Sequence, residues 1–174
     1  NQAFRLAATQ DTMIKVDLAG NIDLSNDSVL VRIDTLFASY NRVDAYNNDK
    51  LLVSYHPYDE DQRVFFDKFN IEGDYVKLNI GGSYSFNKES DVYAEAKNIS
   101  IPALMELIYN PGALYNKKAK YDDYSSLFKG NIRRILLTMK GTMDDPKLGI
   151  EMNTSLLRYD NNKVGRVDAF IDYS

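Results

Sequence analysis

The sequence offers few side chains that could carry out covalent or acid-base chemistry. His56 is the single histidine among 174 residues, and it opens the polar stretch 56–62. No Gly-x-Ser-x-Gly pattern is present that would place a nucleophilic serine on a hydrolase turn. We therefore expect His56 to lie in a surface loop, and we expect a protein that is not an enzyme and needs no cofactor.

Carboxylates are the other groups that could bind a ligand, and they occur in three short clusters. The clusters are Asp59-Glu60-Asp61, Asp122-Asp123 and Asp144-Asp145. A calcium loop needs oxygen ligands at alternate positions, and none of the clusters has that spacing. The sequence therefore predicts solvated turns and no metal site.

Composition excludes further classes of function. The net charge is −4, from 21 basic and 25 acidic residues, whereas a nucleic-acid surface normally shows a basic stripe. There is no cysteine, so no disulfide framework can form. No apolar run approaches the roughly 20 residues that a transmembrane helix needs. The chain begins at Asn1 without a methionine, and we expect it to be a fragment of a longer protein.

The elements that position the side chains are predicted to be β-strands. In the stretch 76–86 the apolar residues Val76, Leu78 and Ile80 alternate with polar ones. Alternation places the apolar side chains on one face of an extended chain and the polar ones on the other. The same pattern occurs at 14–24 and, less regularly, at 137–143.

These stretches indicate an internal repeat. Aligning Gly20, Gly82 and Gly141 places the copies 62 and 59 residues apart. Repetition at a steady period is typical of elongated arrays in which each unit packs on its neighbours. We expect an all-β fold with a curved, elongated antiparallel sheet, built from approximate units 1–62, 63–122 and 123–174. Each aligned glycine predicts a bulge, a bend or a close backbone approach.

One helix is predicted after residue 100. Ser100 is a possible cap, Pro102 suits the first turn, and Leu104, Leu107 and Ile108 recur at helical spacing until 110–112. A second short helical turn is possible over residues 122–128. A short helix of this kind usually covers the end or edge of a sheet.

The order of several motifs resembles the TamB family of envelope translocation and assembly modules, which is related to the AsmA-like proteins. The string Met139-Lys-Gly-Thr-Met-Asp-Asp-Pro-Lys-Leu148 is similar to an element that recurs in that family. Four further segments match in order, and they are 69–73, 78–83, 98–104 and 164–170. The resemblance spans most of the chain.

The resemblance implies a periplasmic segment of a Gram-negative protein that is anchored in the inner membrane. It also implies a half-open sheet, a "β-taco", whose concave face is apolar. Members assist outer-membrane biogenesis by moving phospholipid between the membranes or by acting with an outer-membrane partner of the TamA or BamA type. The expected ligands are phospholipid acyl chains.

The apolar strand positions are the candidate lipid-groove residues. They are Val16, Leu18, Ile22, Leu78, Ile80, Met139, Met143, Ile150 and Met152. Mid-sized, adaptable side chains without polar partners suit an acyl chain. The same residues could instead form the closed core of a β-sandwich, which would favour a binding module for carbohydrate or protein.

Overall fold

The computed structural model describes residues 2–10, 14–40, 43–57, 60–109 and 127–173. Within these ranges the fold is all-β, as predicted, with one helix and a large, curved antiparallel sheet of eleven strands. Three further short strands form a small second sheet. The acidic pair Asp122-Asp123 lies outside the described residues, as does most of the predicted second helical turn. Phe128, at the end of that predicted turn, begins a strand.

The main sheet, as this eleven-stranded sheet is called below, follows the chain order closely. Its first strands are β1 (Gln2–Gln10), β2 (Ile14–Leu24), β3 (Val29–Tyr40), β4 (Val43–Tyr46), β5 (Leu51–His56) and β6 (Arg63–Gly73). Strands β4 and β5 both lie between β3 and β6, so they occupy one place in the sheet.

The remaining strands complete the main sheet and form the small one. They are β7 (Val76–Ser85), β8 (Ser90–Ser100), β9 (Phe128–Lys129), β10 (Asn131–Gly141), β11 (Pro146–Thr154), β12 (Leu157–Tyr159), β13 (Asn162–Gly165) and β14 (Asp168–Tyr173). The main sheet runs β1-β2-β3-β4/β5-β6-β7-β8-β10-β11-β14, and every neighbouring pair is antiparallel. The small sheet runs β13-β12-β9.

Two of the aligned glycines show why the strands need glycine there. Gly82 has φ of 100°, and a Cβ at this position would collide with the carbonyl oxygen of Asp91. Gly20 lies at a register shift between β2 and β3, and its Cβ would collide with the carbonyl oxygen of Arg32. Neighbouring backbone therefore approaches both glycines more closely than a side chain permits.

The helix α1 (Ile101–Tyr109) confirms the prediction for this segment. The backbone N–H of Ala103 donates to the hydroxyl of Ser100 at 3.4 Å, a weak form of the predicted cap. The backbone N–H of Ile101 donates to the carbonyl of Gly130 at 3.2 Å, and Ala103 is buried. The helix contacts β8 of the main sheet and β9.

Very little of the molecule is a closed core. Among the described residues only two apolar side chains are buried, Leu51 completely and Ala103 nearly so. The larger strand contacts are all between hydrogen-bonded neighbours. In a β-sandwich the inward side chains of two facing sheets would interdigitate and lose their solvent exposure. The described strands therefore form an extended single layer.

Candidate functional site

Strand register aligns apolar residues in continuous rows across the main sheet. Residues that stand directly opposite each other in neighbouring strands have their side chains on the same face. One row crosses the sheet from β2 to β14 and consists of Ile22, Val31, Val53, Phe66, Gly82, Val92, Met139, Leu148 and Tyr173. The surface that carries this row is called the apolar face below.

Two adjacent rows extend the apolar face from β6 to β14. The first consists of Phe69, Ile80, Ala94, Leu137, Ile150 and Ile171. The second consists of Ile71, Leu78, Ala96, Ile135, Met152 and Ala169. At the other end of the sheet, Leu18 stands between Leu6 and Leu36, and Val16 stands between Ala8 and Ala38. Eight of the nine candidate residues thus share one face.

The ninth candidate, Met143, lies outside the strands, and its expected place in a strand is wrong. Strand β10 ends at Gly141, whose φ of 87° begins a turn. The hydroxyl of Thr142 accepts the backbone N–H of Asp145 at 3.2 Å and fixes that turn. Met143 is 63% exposed and lines a small cavity of about 160 Å³ together with Tyr84 and Met139.

The three residues that precede the aligned glycines by two positions share the apolar face but not a row. Leu18, Ile80 and Met139, which occupy the same place relative to the aligned glycines, stand in three different rows. Ile80 and Met139 differ because the unbroken register through β8 places Met139 in line with Gly82, and Leu137 in line with Ile80. Bulges shift the pairing further between β2 and β3 and between β6 and β7.

The apolar face is only partly covered. The candidate residues on β2 and β7 are half-buried, whereas the strands towards β14 are more open. The exposed fraction is 45% for Leu137, 39% for Ile150 and 59% for Ile171. Because these three residues are neighbours in one row, they form a contiguous exposed apolar patch.

The opposite side of the main sheet, the polar face, carries a network of ion pairs. Glu95 accepts from Lys97 at 2.7 Å and from Arg134 at 2.6 Å, and Arg134 also lies 3.5 Å from Glu151. The hydrogen bond from Lys97, together with that from Arg134, lowers the pKa of Glu95. Lys77 and Glu72 form a further pair at 2.7 Å. Charge is therefore concentrated on the side that the sequence alternation predicted to be polar.

A polar cluster around the buried Ser85 joins two turns that are far apart in the sequence, and no sequence motif indicated it. The completely buried hydroxyl of Ser85 donates to the Asp61 carboxylate and accepts the backbone N–H of Lys88 at 2.7 Å. Arg63 donates its Nε to Asp61 at 2.9 Å and its Nη1 to Ser83 at 2.8 Å. The bond from Ser85, reinforced by Arg63, lowers the pKa of Asp61.

His56 is not the loop residue that the sequence predicted. It is the last residue of β5, and its ring packs edge-on against Phe65 with centroids 5.4 Å apart. Among the described residues, no three His, Asp or Glu side chains come close enough together to hold a metal ion. Of the first acidic cluster, Asp61 bonds with Ser85 and Arg63, and Asp59 lies outside the described residues.

A shallow polar depression of about 300 Å³ lies on the polar face. Its lining includes three amides and two charged side chains: Asn48, Asn70, Asn79, Glu95 and Lys97. Asn79 donates to the Tyr93 hydroxyl at 3.5 Å, the outer limit of a hydrogen bond.

Comparisons with known protein families, with curated proteins and with solved structures find no match. In the part of the chain that the structure describes, no helix has the length and apolar character needed to cross a bilayer. The resemblance to the TamB family therefore stays a prediction that rests on the order of the sequence motifs.

Proposed function

We propose that this chain holds the acyl chains of phospholipids on the apolar face of its main sheet. In this proposal it is a periplasmic segment of a TamB-like, inner-membrane-anchored protein and aids outer-membrane biogenesis by passing lipid between the membranes. The apolar face is then the inner surface of the curved sheet, and the lipid head groups remain in solvent at its open side. An outer-membrane protein of the TamA or BamA type is the expected partner of the full-length protein.

The observation that carries the proposal is the row of apolar residues from Ile22 to Tyr173, which is covered by no second sheet among the described residues. With strands about 4.8 Å apart, the row is about 40 Å long, enough for an extended acyl chain. Towards β14 the apolar face is exposed at Leu137, Leu148, Ile150 and Ile171, and a contiguous exposed apolar patch usually marks a binding site. Met139 and Met152 add side chains that adapt to an irregular ligand.

Photo-crosslinking tests the proposal on the two faces of the same strands. A photoreactive amino acid at Ile80 or Met139 is expected to capture phospholipid in cells. The matched controls are Lys77 and Lys140, which lie on the polar face of β7 and β10, opposite Glu72 and Asp91 respectively. Capture at neither pair, or equally at both, would contradict lipid binding and leave the segment as a structural spacer.

A glycan-binding module is the second candidate function, although the two-layer sandwich on which it was predicted is not formed. It is supported by the polar depression with its three asparagine amides, because sugars are bound through convergent hydrogen bonds. Mass spectrometry of gently extracted protein separates the candidates. Phospholipid that co-purifies favours the first function, and a rise in melting temperature with glycans favours the second.

A further inference from the structure

The main sheet is interrupted where β4 gives way to β5. Strand β3 pairs with β5 as far as Ile33 and with β4 from Phe37 onwards. Strand β6 likewise changes its partner between Asp67 and Glu72. The turn 47–50, which joins β4 to β5, lies where both strands change partner. At this place the backbone groups of β3 need hydrogen-bond partners other than a neighbouring strand.

Asn47 supplies these partners and fixes the turn against β3. The backbone N–H of Leu36 donates to the side-chain oxygen of Asn47 at 2.6 Å, and the backbone N–H of Asn47 donates to the carbonyl of Leu36 at 3.1 Å. The side-chain amide of Asn47 donates to the carbonyl of Asp49 at 2.9 Å and to that of Asp34 at 3.3 Å. A ligand that binds beside this turn does not have to order it first.

A β-bulge in β3 brings two cationic side chains together. The register shift after Ala19 leaves Asp34 as the extra residue of the bulge. One carboxylate oxygen of Asp34 lies 3.4 Å from Nε of Arg32 and 3.4 Å from Nζ of Lys50. The other oxygen accepts a hydrogen bond from the amide of Asn21 at 2.9 Å. Asp34 therefore positions Arg32 and Lys50 side by side.

The carboxylate of Asp34 does not saturate these two cations. Charge-assisted hydrogen bonds to a carboxylate are about 2.7 to 2.9 Å long, and both contacts of Asp34 are longer. The Nε atom of Arg32 is buried and has no hydrogen-bond partner among the described residues. A buried donor without a partner is unfavourable, and an anion beside Arg32 would remove this cost.

A cavity of about 720 Å³, called the Arg32 cavity below, lies beside these cations. Arg32 stands opposite Leu52, so both belong to the polar face of the main sheet. The cavity shares Asp49 and Asn70 with the polar depression, and the two form one groove. The volume is within the range of small-molecule sites. The lining of the cavity consists of Leu30, Arg32, Asp49, Lys50, Leu52 and Asn70.

The balance of charge in the Arg32 cavity indicates the class of ligand. Arg32 and Lys50 are accompanied by Asp34 and Asp49, and the exposed Asp67 stands opposite Leu52 on β6. A polyanion would be repelled by these three carboxylates. A ligand with one anionic group among neutral hydroxyls suits them, because carboxylates and amides hydrogen-bond hydroxyls. Acidic sugars have this chemistry, and the leucines can contact the C–H groups of a sugar ring.

We propose that the groove binds an acidic saccharide, a proposal that rests on the second candidate function, glycan binding, and adds the group that is recognised. The carboxylate or phosphate of the saccharide lies between Arg32 and Lys50. Its hydroxyls bind the asparagine amides of the polar depression. The groove lies on the opposite side of the sheet from the apolar face, so lipid and saccharide do not compete for one surface.

Heteronuclear NMR of the isotope-labelled protein tests this assignment. Glucuronic acid, glucose 6-phosphate, glucose and inorganic phosphate are titrated separately. We expect the two acidic sugars to shift the Arg32 Nε–H signal and to bind at least about fivefold more tightly than glucose or inorganic phosphate. Arg32→Gln and Lys50→Gln should each weaken the binding of glucuronic acid about fivefold. The matched control is Lys147→Gln, an exposed lysine on β11 of the same face, which should leave binding unchanged.

Asp34→Asn gives a second, opposite effect. Its carboxylate competes with the ligand for Arg32 and Lys50, so we expect Asp34→Asn to bind glucuronic acid more tightly, whereas a purely structural role of Asp34 predicts weaker binding. Weaker binding in folded Asp34→Asn, or unchanged binding in Arg32→Gln with native circular dichroism, would overturn the proposal.

The sugars separate failure of the anion site from failure of glycan binding. Equal affinity for glucose and glucuronic acid would overturn the anion site and leave glycan binding in place. Inorganic phosphate that binds as tightly as glucose 6-phosphate would show that the sugar is not recognised, which would also overturn the proposal. If no sugar binds, acidic or neutral, both the anion site and the glycan-binding function fail.

Discussion

Asp61 connects the turn before β6 to the turn after β7 through its hydrogen bonds. Its carboxylate accepts hydrogen bonds from Ser85 and Arg63. The side-chain amide of Asn87 donates to the backbone carbonyl of the neighbouring Glu60 at 2.5 Å. The turn before β6 is thereby fastened to the turn after β7. A buried hydroxyl such as that of Ser85 needs its partners, because an unsatisfied buried group is unfavourable.

The lowered pKa of Asp61 leads to a prediction of pH dependence. Its ordinary value is 3.8, and the folded state lowers it. The charged form therefore stabilises the fold above about pH 4, and this stabilisation is lost as the pH falls through the folded value. We expect the melting temperature to fall less between pH 6 and pH 3 in Asp61→Asn than in the natural chain. Asp144→Asn, in an exposed turn, is the control, and an identical change in both variants would contradict this role.

A charge placed on the apolar face should be far more harmful than the same charge on the polar face. Ile80 stands between Phe69 and Ala94, so Ile80→Asp is expected to lower the free energy of unfolding by about 2 kcal/mol or more. Lys147→Asp puts a carboxylate on the polar face, directly opposite Lys140, and its effect should stay within about 0.5 kcal/mol. Urea denaturation measures both, and equal losses would show that the faces are assigned wrongly.

At the scale of elements, the strands differ in how strongly they depend on glycine at a given position. Gly82→Ala combines a backbone strained for alanine with a collision against the Asp91 carbonyl, and we expect a loss of about 3 kcal/mol. Gly165 also has positive φ, at 116°, but a Cβ there meets nothing within 4 Å. Gly165→Ala should therefore cost only about 1 kcal/mol. Urea denaturation measures both losses of unfolding free energy. Similar losses for Gly82→Ala and Gly165→Ala would show that the collision with the Asp91 carbonyl contributes nothing.

The strands with clear alternation and the helix could be predicted from the sequence, whereas the register of the strands could not. Alternation in 14–24 and 76–86 is a local property, and it was sufficient to assign the strands and which side chains share a face. The cap and proline at Ser100 and Pro102 likewise located the helix. Bulges between β2 and β3, β6 and β7, and β10 and β11 shift the rows, and nothing in the local pattern marks them. The bond between Asp61 and Ser85 joins residues 24 positions apart, so no short motif could reveal it.

At the scale of the whole molecule, stability is expected to differ along the sheet. Within the described ranges, strand β7 is paired on both sides, whereas β14 is paired on one side and all its residues are exposed. Elements with few buried contacts open at a lower free energy than central ones. Hydrogen exchange followed by mass spectrometry should therefore show faster exchange in 168–173 than in 76–85. Uniform protection would instead indicate that the sheet opens as one cooperative unit.

The antiparallel order of the single-layer sheet makes the length of such a protein easy to change. Inserting a whole hairpin restores the strand direction and keeps the apolar side chains on their own face, while it lengthens the sheet by about 10 Å. No distant packing has to be rebuilt, because the larger contacts are between adjacent strands. Evolution or engineering could thus change the length of the main sheet by adding or removing whole hairpins.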